Sequence, residues 1–382
     1  MPAFTALERE SVVAPQHYVE GNCTHHSFFA ALTGLSPCWY GLARKGRAAP
    51  GPLELLRAAG YELHLAAGAT VDWMGMADTV FPRRLFASYE AAEGDPVRND
   101  RAVADRLLAL ARMARQPLFA VGILASPHFA YHYPPEEEHF RPVLPPDPAL
   151  SPLRAYALAG RREELWNRYR NSVRYADRLL GGLVAALRRD GLLDRLILIV
   201  TGDHGESLLE DGLLAHGNSF HDMQVRVPLL LRYPGGRGRR VEGLTQNADL
   251  LPSLFAELGI GSPLVRSLPG FRTLRPEADA ARGGDPLWRR HGPLQRGSGG
   301  QDYRQGGPPQ SGRPWAVVAM AAPHTPVEYL LVAEDVRVEF LFTIGPDGRV
   351  VLEARRGECD PARAAGHVAD WLDRQGILPA AR

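Results

Sequence analysis

Apolar and polar positions along the chain follow two rhythms up to about residue 258, and a different pattern after it. Two apolar runs stand out, Leu196-Ile-Leu-Ile-Val200 and Leu118-Phe-Ala-Val-Gly-Ile-Leu124. Runs of this kind, apolar on both faces, read as strands buried in the middle of a parallel sheet. Tyr61-Glu-Leu-His-Leu-Ala66 alternates with period two, and Val227-Pro-Leu-Leu-Leu-Arg232 is a further short strand closed by Pro234-Gly235-Gly236. Between Glu163 and Arg189, Trp166, Tyr169, Val173, Ala176, Leu180, Leu183 and Leu187 recur at helical spacing with arginines between them. That stretch predicts a long crossover helix packed on the sheet. Shorter helices are predicted at Pro52 to Ala59, Asp100 to Arg115, Ala248 to Leu258 and, amphipathically, Phe4 to Val13. No apolar strand is expected between Met1 and Val19.

From about Gly259 the periodicity dissolves. Residues 281–313 are rich in Gly, Arg, Gln and Pro and nearly free of aliphatics, so 261–314 reads as a flexible loop or linker. Short strands then follow at Trp315–Met320, Tyr329–Ala333, Arg337–Ile344 and Val350–Ala354, with a hairpin turn at Pro346-Asp-Gly348 and a closing helix over Pro361–Arg374. Strands alternating with helices, then hairpins, give an α/β class. A mostly parallel sheet flanked by helices fills 1–260, and a smaller C-terminal β-rich subdomain fills 315–382.

Composition narrows the function classes. A chain of 382 residues buries a large core, and a formal net charge of +1 offers no bulk electrostatic case for nucleic acid. No apolar run reaches the roughly 18 residues a membrane span requires, and no secretory signal pattern is present. The three cysteines, Cys23, Cys38 and Cys359, have no metal-type spacing and form no evident disulfide framework.

The histidines add chemistry. Asp203, His204 and Glu206 follow the 196–200 run at once, in Thr201-Gly-Asp-His-Gly-Glu206. In open α/β sheets ligands collect beyond the carboxyl ends of strands. A carboxylate beside an imidazole there fits metal ligation as well as a solvated polar loop. His128, in Ser126-Pro-His-Phe-Ala-Tyr-His, lies just past the 118–124 strand, on the same rim if the two run parallel. In Gly21-Asn-Cys-Thr-His-His-Ser-Phe, Thr24 falls near a helix N-terminus, a place for an N-cap or for an anion. His216 sits in a polar loop that also carries His221.

Taken together, these blocks resemble a known family. Thr201-Gly-Asp-His-Gly-Glu206, then His216-Gly-Asn-Ser-Phe220, then Gln224-Val-Arg-Val-Pro-Leu229 resemble the sulfatase-like branch of the alkaline phosphatase superfamily. Tyr169-Arg-Asn-Ser-Val-Arg-Tyr-Ala-Asp177 looks like the family's preceding helix, and Ser126-Pro-His-Phe-Ala-Tyr131 like its substrate-histidine loop. Gly21-Asn-Cys-Thr24 with Leu32-Thr-Gly-Leu35 resembles the nucleophile segment of bacterial envelope members, among them lipid-headgroup phosphotransferases. The resemblance covers about 1–260. It implies an alkaline-phosphatase-like fold and a hydrolase or transferase of phosphate or sulfate esters, small or on a lipid headgroup. It implies Thr24 as nucleophile and metal ligand, Asp203 and His204 as metal ligands, and His128 and His216 as groups holding the substrate. The implied cofactor is a divalent metal, Zn²⁺ or Mn²⁺ by donor type. Relatives are membrane-anchored, which points to the bacterial envelope or periplasm. Two departures matter. Where sulfatases carry Cys-x-Pro-Ser-Arg, whose cysteine is converted to formylglycine, this sequence has Cys23-Thr-His-His-Ser27. The strand ending in an acidic metal ligand, with which family members begin, is expected to be missing. An inactive domain that binds or senses an envelope lipid or anion is therefore the alternative.

Overall fold

The computed structural model describes residues 1–46, 50–146, 159–210, 212–241, 244–260, 315–320, 328–333, 336–344, 350–356 and 367. The chain opens with α1 (Pro2–Glu8), β1 (Val12–Val13), β2 (Gln16–Tyr18), α2 (Thr24–Thr33), α3 (Tyr40–Gly46) and α4 (Gly51–Ala58). It continues through β3 (Glu62–Ala67), α5 (Met76–Thr79), β4 (Ser88–Ala91), α6 (Pro96–Met113) and β5 (Leu118–Ile123). The long helix α7 (Arg162–Arg189) precedes β6 (Leu198–Thr201), β7 (Ser207–Leu208), β8 (Leu214–Ala215), α8 (Asp222–Val225), β9 (Leu229–Arg232), β10 (Arg239–Arg240), β11 (Leu244–Gln246) and α9 (Leu250–Leu258). Local chemistry marks several of these ends. Asp95 accepts from the Val97 amide ahead of Pro96 at the start of α6. Glu163 and Glu164 open α7 and Arg188 and Arg189 close it, in the sense that suits the helix dipole. Gly34 stops α2 at φ 70°, a left-handed conformation that favours glycine.

The predicted α/β architecture is present, with two corrections. β4, β3 and β5 form a wholly parallel sheet, as expected. The 198–201 strand is not in the middle of a parallel sheet. It pairs antiparallel with β9, from Leu198 opposite Arg232 to Thr201 opposite Leu229, in the order β10-β1-β9-β6. An apolar run reports burial on both faces but carries no information on the neighbour's direction. The N-terminal segment is not strandless either. β1 pairs with β9 and β10, and β2 with β11, in pieces too short to register as a period.

Both sheets lie between the same two helical layers. On one face Leu108 and Ala111 of α6 and Leu180, Leu183 and Leu187 of α7 pack with Leu198 and Val200. On the other, Phe29 of α2 and Leu251, Leu254 and Phe255 of α9 pack with Phe119, Val121, Ile123 and Ile197. Fully burying such a side chain stabilises the fold by about 1.5–3 kcal/mol. Although they share these layers, β5 and β6 are not in one ladder. Among the described residues each has a hydrogen-bonded neighbour on one edge only, and their residues are half-buried or exposed. Both strands run out toward the same rim, where the loops after them meet.

β12 (Trp315–Met320), β13 (Glu328–Ala333), β14 (Val336–Ile344) and β15 (Val350–Arg356) form an antiparallel meander where short strands are predicted. The predicted linker at 261–314, the turn at Pro346–Gly348 and all of the closing helix but His367 lie outside the described residues. Among the described residues no helix is long and apolar enough to cross a membrane.

Candidate functional site

Thr24, Asp203, His204, His216 and His128 come together at the rim beyond β5 and β6. Thr24 is the first residue of α2, and its Oγ1 lies 3.2 Å from His204 Nε2. Asp203 Oδ2 lies 3.4 Å from the same nitrogen. The rings of His204 and His216 are 3.8 Å apart, and those of His216 and His128 are 5.1 Å apart. Of the two neighbours Cys23 and Thr24, it is the threonine that faces this group. Cys23 is buried with Sγ 4.0 Å from His25 Nε2.

The three site histidines are oriented alike. His204 Nδ1 sits 3.0 Å from the Gly205 carbonyl, His128 Nδ1 2.8 Å from the Phe129 carbonyl, and His216 Nδ1 2.5 Å from Glu206 Oε1. A carbonyl or carboxylate accepts from a protonated Nδ1, so in each neutral ring the lone pair is on Nε2. For His204 that lone pair points at Thr24 Oγ1 and the Asp203 carboxylate. Three electron-rich atoms converging in this way, with the Gly205 carbonyl fixing the ring, is the donor arrangement of a hard or borderline divalent cation. The residues present fit the implied metal on that ground.

Glu206, which has no role assigned from the sequence, also belongs to this group. It is buried, accepts from the Tyr131 hydroxyl at 2.9 Å, and with His204 and His216 forms a cluster of potential ligands. Burial and the adjacent Glu206 push the Tyr131 hydroxyl well above its ordinary pKa, so it stays a donor. The only sequence signal for Glu206 is its place in Asp-His-Gly-Glu.

Buried polar groups hold the loops. Asp100 accepts from the Ala125 and Ser126 amides, each at 2.7 Å, and so sets the turn that carries His128. Arg168 of α7 donates to the Ala130 and Leu144 carbonyls from the far side. Gln224 donates to Ser207 Oγ and Asn218 Oδ1 and accepts from the Asn218 and Ser219 amides, closing the loop of His216. Gly205 is required where it stands, because an added Cβ would collide with the Met223 carbonyl oxygen.

The fold is that of alkaline-phosphatase-like α/β proteins. A phosphonate monoester hydrolase from Silicibacter pomeroyi superposes with TM-score 0.65 at 19% identity, over 100% of this chain and 91% of that one. The lipoteichoic acid synthase LtaP from Listeria monocytogenes gives 0.59 at 14% identity, over 100% and 87%. The family described as Sulfatase matches residues 1–260, and the chain belongs to that family. In sequence it is similar to arylsulfatase K from Bos taurus, 34% identical over 99 residues, which is 26% of this chain and 18% of the relative. It is also similar to the uncharacterized sulfatase YidJ of Escherichia coli, 32% identical over 100 residues, 26% of this chain and 20% of the relative. The matched stretches thus span about a fifth of these relatives' lengths.

Proposed function

We propose that the chain transfers or hydrolyses phosphate or sulfate esters with the Thr24 hydroxyl as nucleophile. The supporting observation is the convergence of Thr24 Oγ1 and Asp203 Oδ2 on His204 Nε2, with His216 and His128 beside them. A divalent cation bound by Thr24, Asp203 and His204 would lower the pKa of the hydroxyl and neutralise charge on the transferred group. Sulfatases as a family use such a metal, and the donor set suits Zn²⁺ or Mn²⁺. Thr24 loses its proton and attacks the phosphorus or sulfur, the alcohol leaves on the opposite side as it takes up a proton, and water or an acceptor alcohol then displaces the group from Thr24. His216 and His128 line the approach. When protonated, each offers an Nε2–H to an oxyanion, and Glu206 balances the charge on His216. The substrate is a small ester or an ester on a lipid headgroup.

A second reading is favoured by the carboxylates. Glu206 is taken up by His216 and Tyr131, so Asp203 is the carboxylate seen beside Thr24. An inactive relative that binds an envelope lipid or anion through the same residues would need no more. Metal content by mass spectrometry and cleavage of aryl phosphate, phosphonate and sulfate esters separate the readings. Turnover is expected, with metal content falling by about one per chain and activity lost in Asp203→Ala, and with activity reduced at least about a thousandfold in Thr24→Ala. Phosphate or sulfate binding with no turnover of any ester would establish the second reading.

A further inference from the structure

A second set of metal-binding atoms flanks Thr24 in the sequence. Cys23 is the N-cap of α2, and His25 and His26 lie in its first turn. Cys23 Sγ and one ring nitrogen of each histidine lie within 4.8 Å of one another, and all three residues are buried. Sγ is 4.0 Å from His25 Nε2, the two imidazole centroids are 4.2 Å apart, and Cys23 forms no disulfide.

The surroundings leave these rings underused. His25 and His26 are 3% and 6% exposed, yet the Nδ1 of each is buried without a hydrogen-bond partner. Such atoms are rare in folded proteins; at His25 it is the other nitrogen, Nε2, that faces Cys23 Sγ. The neighbours do not supply a partner for either Nδ1. Tyr40 and Trp73 pack edge-on against His25, each at 5.0 Å between ring centroids, and the Tyr40 hydroxyl donates to the Met74 carbonyl.

The donor chemistry is distinct from that of the rim. One thiol and two imidazoles are donors of the kind Zn²⁺ takes, at about 2.3 Å for sulfur and 2.0–2.1 Å for nitrogen, and with three protein ligands the fourth position falls to solvent. Tetrahedral edges of roughly 3.5 Å follow from those bonds, so the observed spacing closes with small side-chain rotations. The rim, with a hydroxyl and a carboxylate, is the harder site.

We propose that Cys23, His25 and His26 form a second site, of three protein ligands, for a thiophilic divalent ion, Zn²⁺. On binding, the Cys23 S–H bond is broken, its proton leaves to solvent, and the thiolate and two neutral imidazoles donate to the ion. The site pins the first turn of α2 and so keeps Thr24 beside His204. It stands whether or not Thr24 is a nucleophile.

Cobalt titration of the chelator-stripped full chain tests this, because only a thiolate ligand gives a near-ultraviolet charge-transfer band. Wild type is expected to show the band, saturating at one thiolate-bound cobalt per chain. The Cys38→Ser/Cys359→Ser double variant leaves Cys23 as the one cysteine of three and is expected to keep it. Asp203→Ala is expected to keep it as well, whatever happens to ester cleavage. Cys23→Ser is expected to lose it and to bind Zn²⁺ at least about tenfold more weakly. X-ray absorption of the Zn²⁺-loaded double variant is expected to show one sulfur at about 2.3 Å with nitrogen at about 2.0 Å. No band in wild type, loss of the band in the cysteine double variant or in Asp203→Ala, or a band that survives Cys23→Ser would overturn the proposal. Should Cys23→Ser fail to fold, the double variant and the absorption spectrum still decide.

Discussion

Each site histidine has one nitrogen committed to an acceptor and the other released toward the centre, and at His216 that commitment is to Glu206. Removing the carboxylate while keeping its shape isolates its part. Glu206→Gln is expected to lower kcat/KM by about 10–100-fold, the usual cost of losing such an outer partner. Thermal unfolding should shift little, since the amide still accepts from Tyr131. A variant with full activity would mean His216 needs no such support. Thr24, His128, Asp203 and His204 stand out in the sequence because each follows an apolar run or opens a helix, and His216 stands out only through the family-like block His216-Gly-Asn-Ser-Phe220. Glu206 does not. A carboxylate in a polar loop looks solvated until the chain folds and brings Tyr131, 75 residues away in sequence, onto it.

At the scale of elements, the loops at the rim are set by buried groups from elements distant in sequence. Asp100, on α6, fixes the turn after β5 through two charge-assisted bonds. Asp100→Ala leaves two buried amides unpaired and should destabilise the fold by about 2–5 kcal/mol, with activity falling further as His128 loses its placement. Denaturant unfolding alongside the ester assay checks both. Gly205→Ala should be at least as damaging to activity, because the methyl forces the backbone of Met223 away. The helices α4, α6, α7 and α9 and the strands β3, β5 and β9 could be read from periodicity within a few residues. Pairing direction and two- or three-residue strands could not, since both are fixed by what lies across the sheet.

At the scale of the whole molecule, buried titratable groups shape stability against pH. Burial raises the Glu20 carboxyl from 4.5 to about 8. Between those values the native state keeps a proton the unfolded chain releases, so stability falls as pH rises. Burial lowers His17 and His25 to about 4 and His26 to about 3, from 6.5. Below pH 6.5 the unfolded chain takes up protons that the native state refuses, so stability falls as pH drops, three groups outweighing one. The metal-free chain should therefore be most stable near pH 6.5, with limbs of about 1.4 kcal/mol per pH unit for each group acting alone. Denaturant titrations at several pH values give the curve. Glu20→Gln should flatten the alkaline limb, and an unchanged limb would remove Glu20 from this role.

The one-sided ladders of β5 and β6 have a consequence for how the protein's centre exchanges with water. The Glu62 amide donates to the Pro117 carbonyl and the Gly68 amide to the Ile123 carbonyl, so the odd-numbered residues of β5 face β3. Backbone direction alternates along a strand, which turns the Ala120 and Gly122 amides to the open edge. Deuterium should then replace hydrogen at Ala120 and Gly122 far faster than at Phe119, Val121 and Ile123. Such a stripe of fast and slow amides would run through a strand sandwiched between two helical layers, where both sets would ordinarily be slow.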